Sequence, residues 1–339
     1  MPVAGVSRIE VCVLGAGSWG TALAMLLARN GVAVVLWGRD RAHVERMAAE
    51  RCNRRYLPGR SFPDALALEH DLEAALARAR LVLVVVPSEG FRETLERVRA
   101  SAAGLEGIAW ATKGFEPGSG RLLHRVVGEV LGAQLPSAVL SGPTFAGEVA
   151  DGLPTALTCA SENAAFAEGV AELFHNDRFR PYTSTDLVGV QLGGAVKNVF
   201  AIAAGISDGL GFGANSRAAL ITRGLAEMVR LGGALGGEPR TFMGLAGLGD
   251  LVLTCTDDQS RNRRFGLALA AGCSVREAAA RVEQVVEGIG AARETMREAM
   301  RMRVEMPIAA QVERVLEGEV APAAAVHELL ARPPGTELD

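Results

Sequence analysis

Short apolar runs alternate with helical segments along the first half of the chain. The runs lie at residues 9–14, 32–37, 81–86, 108–111, 138–140 and 155–159. Between them, apolar positions recur with helical spacing at residues 20–29, 71–79 and 121–131. Continuous apolar runs are typical of strands buried on both faces, and strands that alternate with helices form parallel sheets. The pattern therefore predicts an α/β domain with a mostly parallel, doubly wound sheet, in which Gly31 follows the first helix as a C-cap glycine would.

Beyond about residue 185 the strand-like runs fade. Ala, Leu, Arg and Glu then recur with helical spacing at residues 188–206, 216–232, 262–271, 276–283, 290–303 and 307–316. This change of period predicts a second, all-α domain. We place the boundary so that residues 1–188 form the α/β domain and residues 189–339 form the helical domain.

Composition narrows the classes of protein that fit this pattern. The chain of 339 residues carries a formal net charge of −4, which argues against a general nucleic-acid-binding protein. Its five cysteines form no CxxC pair, so we expect reduced thiols rather than disulfides or a metal site. The N-terminus lacks a signal-peptide pattern, and the apolar runs are shorter than the roughly 20 residues of a membrane span. We expect a cytoplasmic protein without a membrane span or a nucleic-acid partner.

A glycine-rich loop follows the first predicted strand. The segment VLGAGSWG places Gly15, Gly17 and Gly20 in the pattern G-x-G-x-x-G. Between a strand and a helix this pattern is typical of dinucleotide binding, because the glycines allow a tight turn and a close approach to the pyrophosphate. Ser18 and Trp19 are expected to present backbone N–H groups to the phosphates. The alternative is an ordinary strand–helix turn that binds nothing.

The residue that contacts the adenosine ribose is expected at the end of the second strand, where Arg39 and Asp40 follow Trp37 and Gly38. An acidic residue there accepts the 2′-OH of NAD, whereas an arginine accommodates the 2′-phosphate of NADP. Arg39 favours NADP, and Asp40 keeps NAD open. A solvated loop charge at Arg39 is the third possibility.

One lysine, Lys197, stands in the otherwise apolar segment VQLGGAVKNVFAIAAGI. Gly193, Gly194, Phe200 and Ala201 share its helical face, and the two glycines are expected to leave room for a ligand. Burial disfavours the charged form of lysine, so its pKa would fall to roughly 7–8 and it could act as a general acid or base. The sequence leaves equally open a lysine whose stem crosses apolar surface to reach water.

Two further glycine-rich segments hold polar residues. GLAGLGDLVLT carries Asp250, and SGPTFAGE carries Gly142 and Thr144. Asp250 is expected to orient Lys197 or to bind a hydroxyl group. The alternative for these residues is that each caps its own turn.

A basic segment, TCTDDQSRNRRFG at residues 254–266, gathers three arginines in a chain of net negative charge. It suits a solvated helix face, a nucleic-acid patch or a clamp for one anionic group. A single-stranded RNA site would need aromatic side chains for base stacking, and Phe265 is the only one in the segment.

Six segments occur in an order that resembles one enzyme family. They are GAGSWGTALA, ATKGFE, LSGPTFAGE, AVKNVFAI, GLAGLGDLVLTCT and SRNRRFG. Together they are similar to the bacterial NAD(P)-dependent glycerol-3-phosphate dehydrogenases, over residues 9–316. The resemblance implies a Rossmann-type N-terminal domain and a helical C-terminal domain that binds the substrate and catalyses the reaction. It also implies the reversible reduction of dihydroxyacetone phosphate by NAD(P)H to sn-glycerol 3-phosphate, the backbone of glycerophospholipids.

The resemblance also implies roles for individual residues. Lys197 corresponds to the family's proton acceptor. The positions that bind substrate correspond to Lys113, Gly142, Thr144, Lys197, Asp250, Ser260, Arg261 and Asn262. The positions that bind cofactor correspond to the loop glycines Gly15, Gly17 and Gly20 and to Ser18, Trp19, Arg39, Lys113, Ala146, Arg261, Val285 and Glu287.

The basic segment then acquires a specific interpretation. We expect a helix over residues 258–271, with Gly272 just past its end and Ser260, Arg261 and Asn262 near its N-terminus. Side-chain donors, backbone N–H groups and the helix dipole suit the substrate phosphate at that position. The remaining arginines, Arg263 and Arg264, are expected to face solvent or to pair with acids.

Two other functions fit parts of the pattern. A dehydrogenase for a 3-hydroxy acid or a sugar acid would accept a carboxylate without a phosphate. A non-catalytic NADPH sensor would keep the glycine-rich loop but would have no need of Lys113, Lys197 and residues 260–262. A homodimer is compatible with the chain, although no feature of the sequence predicts it.

Overall fold

The chain folds into two compact units. The computed structural model describes residues 11–77, 79–101 and 104–333. The first unit comprises the described residues up to Thr112 together with His124–Leu140 and Thr144–Leu187. The second comprises Lys113–Leu123, Ser141–Pro143 and the described residues from Val188 onward. Two short segments that precede residue 188 therefore pack with the helical unit, and the functional division at residues 188 and 189 stays a prediction.

The first unit is built on a parallel sheet. The described residues form the strands β1 (Val11–Leu14), β2 (Val34–Trp37), β3 (Cys52–Asn53), β4 (Leu57–Ser61), β5 (Ala67–Glu69), β6 (Leu81–Val84), β7 (Gly107–Trp110), β8 (Ser137–Ser141), β9 (Thr155–Ala160) and β10 (Phe179–Ser184). Eight of them form one sheet in the order β10-β9-β8-β7-β6-β1-β2-β5, while β3 and β4 form an antiparallel pair. Val13 of β1 lies opposite Leu36 and Leu83 in parallel registers. The predicted doubly wound sheet is confirmed.

The strand order reverses at β1. The chain runs outward through β2 to β5, returns to β6 on the other side of β1, and then continues to β10. The strands β1, β2 and β6 consist of residues buried on both faces, which explains their continuous apolar runs. Open α/β sheets bind ligands at such a switch point, beyond the carboxyl ends of the strands. The glycine-rich loop leaves β1 at this end.

Helices accompany the strands of the first unit. Within the described residues they are α1 (Ser18–Arg29), α2 (Arg41–Glu50), α3 (Leu72–Leu76), α4 (Phe91–Ser101), α5 (Leu123–Leu131), α6 (Ala146–Asp151) and α7 (Ala164–Phe174). The side chains of Asp40, Asp71 and Asn163 cap α2, α3 and α7. The apolar spacing predicts α1, α3 and α5 but none of the other four helices. Residues 9 and 10 of the first predicted strand lie outside the described residues.

The second unit is helical, as the change of period predicts. Its helices are α8 (Leu187–Gly209), α9 (Ala214–Ala234), α10 (Pro239–Phe242), α11 (Asp250–Thr256), α12 (Arg261–Ala270), α13 (Val275–Val282), α14 (Glu287–Met302), α15 (Pro307–Leu316) and α16 (Pro322–Leu330). One turn of π-helix, Leu245–Gly249, leads into α11. Each of the six predicted helical segments corresponds to one of these helices, and α10, α11 and α16 are additional.

Helix α8 forms the centre of this unit. Val199, Phe200 and Ile202 of α8 belong to its buried apolar core. A Cβ atom at Gly205 would lie 2.1 Å from the backbone oxygen of Arg263, and one at Gly266 would lie 2.2 Å from that of Ile202. The two glycines therefore let α8 and α12 pack backbone against backbone. This contact fixes the position of α12 relative to the polar residues of α8.

Among the described residues, α8 is the one helix long and apolar enough to cross a membrane by length and composition. Its apolar window is 94% buried inside the protein. Burial of this extent is typical of a core helix of a folded domain.

Candidate active site

The glycine-rich loop has the backbone geometry that its spacing predicts. Gly15 has a φ of +124°, and a Cβ atom there would lie 2.6 Å from the backbone oxygen of Val85. A Cβ atom at Gly20 would lie 1.9 Å from the backbone oxygen of Gly15. Both distances are far shorter than a van der Waals contact. The two positions therefore require glycine, for the turn and for the close packing of α1 on the loop.

Gly17 differs, because the space beside it is open. Among the described residues, no atom lies within 4 Å of a Cβ atom built on Gly17. Gly17 is the N-cap residue of α1, and no described side chain caps the helix there. The first turn, which begins with Ser18 and Trp19, has backbone N–H groups without intrahelical partners. Open space, N–H donors and the positive end of the helix dipole fit a dinucleotide pyrophosphate.

Arg39 and Asp40 differ in their surroundings at the end of β2. The Asp40 carboxylate accepts a hydrogen bond of 3.1 Å from the backbone N–H of His43 and so caps α2. The cap uses the Oδ1 atom alone, and the Asp40 side chain is exposed. The Arg39 side chain is exposed. Both side chains are therefore accessible at the end of β2, and the choice of Arg39 as the residue that contacts an adenosine ribose stays a prediction.

Two lysines share one buried aspartate in the helical unit. Lys197 of α8 donates a hydrogen bond to Oδ1 of Asp250, the first residue of α11. Lys113 donates to Oδ2 of the same carboxylate at 2.7 Å and to the backbone oxygen of Gly142 at 2.9 Å. The exposed side-chain fraction is 8% for Lys197, 15% for Lys113 and 1% for Asp250. Lys197 is therefore buried and paired, and the alternative of a lysine that reaches water is wrong.

The surroundings of Lys197 lower the pKa of its ammonium group to about 7. Burial is the largest cause, because it penalises the charged form, and the Lys113 ammonium acts in the same direction. The Asp250 carboxylate opposes both by favouring the charged form. A lysine that titrates near neutral pH can both donate and accept a proton.

Glycines bring the backbone segments of this cluster together. A Cβ atom at Gly193 would lie 2.3 Å from the backbone oxygen of Ala246, in the π-helical turn before α11. At Gly194 it would lie 2.5 Å from Oγ of Ser141 and 3.5 Å from Cγ of Lys113. The room beside Lys197 is therefore filled by the protein itself. The expectation that these two glycines leave space for a ligand is wrong.

Ser260 and Arg261 begin helix α12, which starts three residues later than the predicted residue 258. The Ser260 hydroxyl is the N-cap and accepts a hydrogen bond of 3.2 Å from the backbone N–H of Arg263. Arg261 is half-buried, and its Nη1 lies 3.4 Å from Oε1 of Gln284. Burial lowers the pKa of the Arg261 guanidinium, while the Glu287 carboxylate acts against that shift. A partly desolvated arginine at the N-terminus of a helix is suited to bind an anion.

Asn262 joins α12 to two other helices. Its Nδ2 donates to Oδ1 of Asn198 on α8 at 2.9 Å, and its Oδ1 accepts from the backbone N–H of Gly288 at 2.9 Å. Asn262 therefore caps the first turn of α14 from outside. Asn198 follows Lys197 directly, so this link ties the first turn of α12 to the lysine. The sequence did not single out Asn198, although a second polar residue in an apolar helix is a signal of the same kind as Lys197.

The other two arginines of the basic segment have different surroundings. Arg263 is buried and forms ion pairs with Asp208, at 2.6 Å, and with Asp258. Arg264 is exposed. The prediction that these arginines pair with acids or face solvent is confirmed.

Thr254 is a contact of Lys197 that sequence reasoning missed. Its hydroxyl accepts a hydrogen bond of 2.9 Å from Nζ of Lys197 and donates one of 2.6 Å to the backbone oxygen of Asp250. Thr254 lies one helical turn beyond Asp250, so the two side chains share a face of α11. That spacing was the available signal.

The remaining residues predicted to bind substrate or cofactor lie at or near the starts of α6 and α14. Thr144 and Ala146 lie at the start of α6 in the first unit, and Ala146 is the first residue of that helix. Val285 is exposed, and Glu287 is the first residue of α14. Their binding roles stay predictions.

Three chemical capacities are present. The loop at the start of α1 fits a dinucleotide, Lys197 can exchange a proton near neutral pH, and the start of α12 fits a phosphate. Reduction of a carbonyl in a phosphorylated substrate needs all three.

Comparison with known proteins gives one family for both parts of the chain. Residues 10–167 match the family model for the N-terminus of NAD-dependent glycerol-3-phosphate dehydrogenase, and residues 186–327 match that for its C-terminus. The NAD(P)+ glycerol-3-phosphate dehydrogenase of Nitrosococcus oceani is 58% identical over 325 residues, 96% of this chain and 94% of that protein. That of Thioalkalivibrio sulfidiphilus is 58% identical over 327 residues, 96% of this chain and 98% of that protein. The crystal structure of the Coxiella burnetii glycerol-3-phosphate dehydrogenase aligns with a TM-score of 0.93 at 50% identity, covering 96% of this chain and 99% of that one.

Proposed function

The chain belongs to the family of NAD-dependent glycerol-3-phosphate dehydrogenases, and from this premise we propose which residues carry out its reaction. It reduces dihydroxyacetone phosphate reversibly to sn-glycerol 3-phosphate with NADH or NADPH, and so supplies the backbone of glycerophospholipids. The observation that carries the assignment is the buried cluster of Lys197, Asp250 and Lys113. It provides a proton donor and acceptor with a pKa near neutral.

The glycine-rich loop binds the cofactor in this proposal. Gly15 and Gly20 shape the turn, Gly17 leaves the surface open, and the first N–H groups of α1 bind the pyrophosphate. The bound cofactor supplies the hydride that the substrate carbonyl carbon accepts. The further residues that we assign to the cofactor are Ser18, Trp19, Arg39, Lys113, Ala146, Arg261, Val285 and Glu287.

Lys197 exchanges the proton. In the direction of reduction its ammonium group donates a proton to the carbonyl oxygen, and in the direction of oxidation the neutral amine accepts one. The carboxylate of Asp250 and the hydroxyl of Thr254 fix the Nζ atom from two sides. Lys113 orients the substrate oxygens and lowers the pKa of Lys197.

The start of α12 binds the substrate phosphate. Arg261 supplies charge, Ser260 supplies a hydroxyl at the N-cap, and Asn262 has a second amide hydrogen beyond the one donated to Asn198. Binding energy at the phosphate is remote from the reacting carbon, so it can be used to position the carbonyl. Gly142 and Thr144 complete the set that we assign to the substrate.

The remaining proposals concern the cofactor preference, the cellular location and the oligomeric state of the enzyme. The exposed Arg39 at the end of β2 supports a preference for NADP over NAD. The five free cysteines are in keeping with the reducing cytoplasm. A homodimer stays compatible with the chain.

The first test measures the loss of reduced-nicotinamide absorbance with purified protein and dihydroxyacetone phosphate. Parallel reactions contain NADPH or NADH, and unphosphorylated dihydroxyacetone is the control. We expect rapid oxidation with the phosphorylated ketone alone, and faster oxidation with NADPH. Comparable rates with a 2-oxo or 3-oxo acid that lacks a phosphate would contradict the proposed substrate.

A further inference from the structure

The segment Lys113–Leu123 connects β7 to α5 of the first unit, yet it packs with the helical unit. It carries Lys113 at its first residue. The position of Lys113 therefore depends on how the segment is held by the helices of the second unit.

The segment is a closed hairpin with an apolar base. Phe115 and Leu122 form an antiparallel bridge, and both side chains are buried in the core of the helical unit. The backbone N–H of Glu116 donates to the backbone oxygen of Arg121 at 2.9 Å. Gly120, at the tip, has a φ of +70°. Because the hairpin is closed, a displacement of its tip would also displace its base, where Lys113 lies.

The tip of the hairpin is fixed on α14 by a buried carboxylate. Oε1 of Glu294 accepts a hydrogen bond of 2.7 Å from the backbone N–H of Gly118. The Glu294 side chain is buried, and its Oε2 lies 3.0 Å from Nε of Arg297. A Cβ atom at Gly120 would lie 2.9 Å from Oε1 of Glu298, one turn further along the helix. The tip therefore packs directly on one face of α14.

The same helix contacts the anion-binding end of α12. The backbone N–H of Gly288, in the first turn of α14, donates to Oδ1 of Asn262. One rigid element thus holds the Asn262 side chain at its first turn and the hairpin of Lys113 further along.

We propose that Glu294 is a positioning residue of the reaction, which fixes the hairpin 113–123 on α14 and so holds the Lys113 ammonium on Asp250 and close to Lys197. This proposal rests on the proposed roles of Lys113 and Lys197. A hydrogen bond from an amide to a buried carboxylate is stronger than one between neutral groups. Without it the tip loses its polar anchor, and Lys113 loses its fixed distance from Asp250.

The test compares Glu294→Ala with Glu294→Gln in the full-length enzyme. The Gln variant keeps an oxygen that can accept from Gly118, whereas the Ala variant does not. We expect the Ala variant to lose roughly 10- to 100-fold in kcat/KM for dihydroxyacetone phosphate, as removal of a hydrogen bond to a charged group predicts. We expect the Gln variant to retain most of the activity and both variants to keep the cofactor affinity of the wild type.

The pH profile separates positioning from a general loss of stability. Lys113 helps to lower the pKa of Lys197, so a displaced Lys113 lets that pKa rise. The pH above which kcat/KM for ketone reduction falls, the limb of the profile, should therefore be higher in Glu294→Ala than in the wild type. In Glu294→Gln this limb should stay in place. Arg293→Ala is the matched control. Arg293 lies on α14 as Glu294 does, and its replacement removes only an exposed ion pair with Glu317.

The outcomes are distinct. A loss of activity in Glu294→Ala without a shift of the limb would overturn the proposal and leave a structural role. Equal losses in the Ala and Gln variants would overturn it as well. If the Ala variant does not fold, Glu294→Asp takes its place, because it withdraws the carboxylate by one methylene. The limb of this variant should shift in the same direction but by less. An unshifted limb in Glu294→Asp counts against the proposal. Failure of the proposed function itself is recognised separately, by a wild-type enzyme that does not reduce dihydroxyacetone phosphate.

Discussion

The role of Lys197 leads to a prediction with opposite signs in the two directions of the reaction. Its folded-state pKa is about 7, against an ordinary value of 10.5. Reduction of the ketone needs the protonated form, so kcat/KM for dihydroxyacetone phosphate should fall as the pH rises above about 7. Oxidation of glycerol 3-phosphate needs the neutral form, so its kcat/KM should rise with pH through the same value. The two limbs should share one midpoint, because both report the same group in the free enzyme.

Replacement of Lys197 by Met keeps the length of the side chain and removes the titrating group. A general acid contributes about 10²- to 10⁴-fold to a rate, and we expect a loss of kcat in that range. The pH limb should disappear from whatever activity remains. Asp250 keeps its hydrogen bond to Lys113. The variant should therefore lose less stability than the roughly 3–5 kcal/mol expected when a buried charge is left unpaired.

The assay is nicotinamide absorbance in both directions between pH 5.5 and 9.5, with cofactor affinity measured separately by fluorescence. Unchanged affinity for NADPH shows that the variant is folded and that the loss concerns the chemical step. A Lys197→Met variant that retains the wild-type limb, or more than about one tenth of the wild-type kcat, would refute the assignment.

Three further predictions concern other parts of the chain. Arg261→Ala should cost roughly 2–5 kcal/mol in kcat/KM for dihydroxyacetone phosphate, as truncation of a buried charged pair does, and an equal loss with unphosphorylated dihydroxyacetone would contradict the phosphate clamp. Arg39→Ala should weaken NADPH binding by roughly 10- to 100-fold and leave NADH binding unchanged, because only NADPH carries the 2′-phosphate; equilibrium titration with both cofactors checks this. The buried Glu227 carboxylate accepts hydrogen bonds from the backbone N–H groups of Ile308 and Ala309, and burial raises its pKa from 4.5 to about 7. The folded state thus binds this proton more tightly than the unfolded state does. Protonation of Glu227 therefore contributes in full to the free energy of unfolding below about pH 4.5, and about 3 kcal/mol of this contribution is lost as the pH rises to about 7. Glu227→Gln should lack this loss in urea unfolding across the same range, and parallel curves for the two proteins would contradict the assignment.

Features set by neighbouring residues could be predicted from the sequence. The tight turn at Gly15 and the buried strands β1, β2 and β6 each depend on a few consecutive side chains. Steric exclusion and local hydrogen bonding act over those distances, so spacing alone carries the information. The resemblance to a known family added the roles of residues that have no local signature, such as Lys113.

Features that depend on distant residues could not be predicted in this way. Lys113 and Asp250 are 137 positions apart, and the hairpin that carries Lys113 packs with the helical unit rather than with the sheet it follows. The edge strand β10 contains Pro181 and exposed polar residues, because it has a neighbour on one side only. It therefore lacks the apolar run by which central strands are recognised. The expected space beside Gly193 and Gly194 was wrong for the same reason, since the atoms that fill it come from remote segments.

Burial and the second lysine on the same carboxylate together explain how Lys197 can titrate near neutral pH. A single buried Lys–Asp pair is neutral when ionised, and the attraction across it would keep the lysine protonated well above neutral pH. With Lys113 also bound to Asp250, the charge of the carboxylate is already balanced, and protonation of Lys197 leaves one net positive charge in a buried place. That charge is disfavoured in the free enzyme and becomes favourable when negative charge develops on the substrate oxygen. In the proposed mechanism Lys113 thus has a second effect beside substrate binding: the free energy of the protonated Lys197 falls when the substrate carbonyl is reduced.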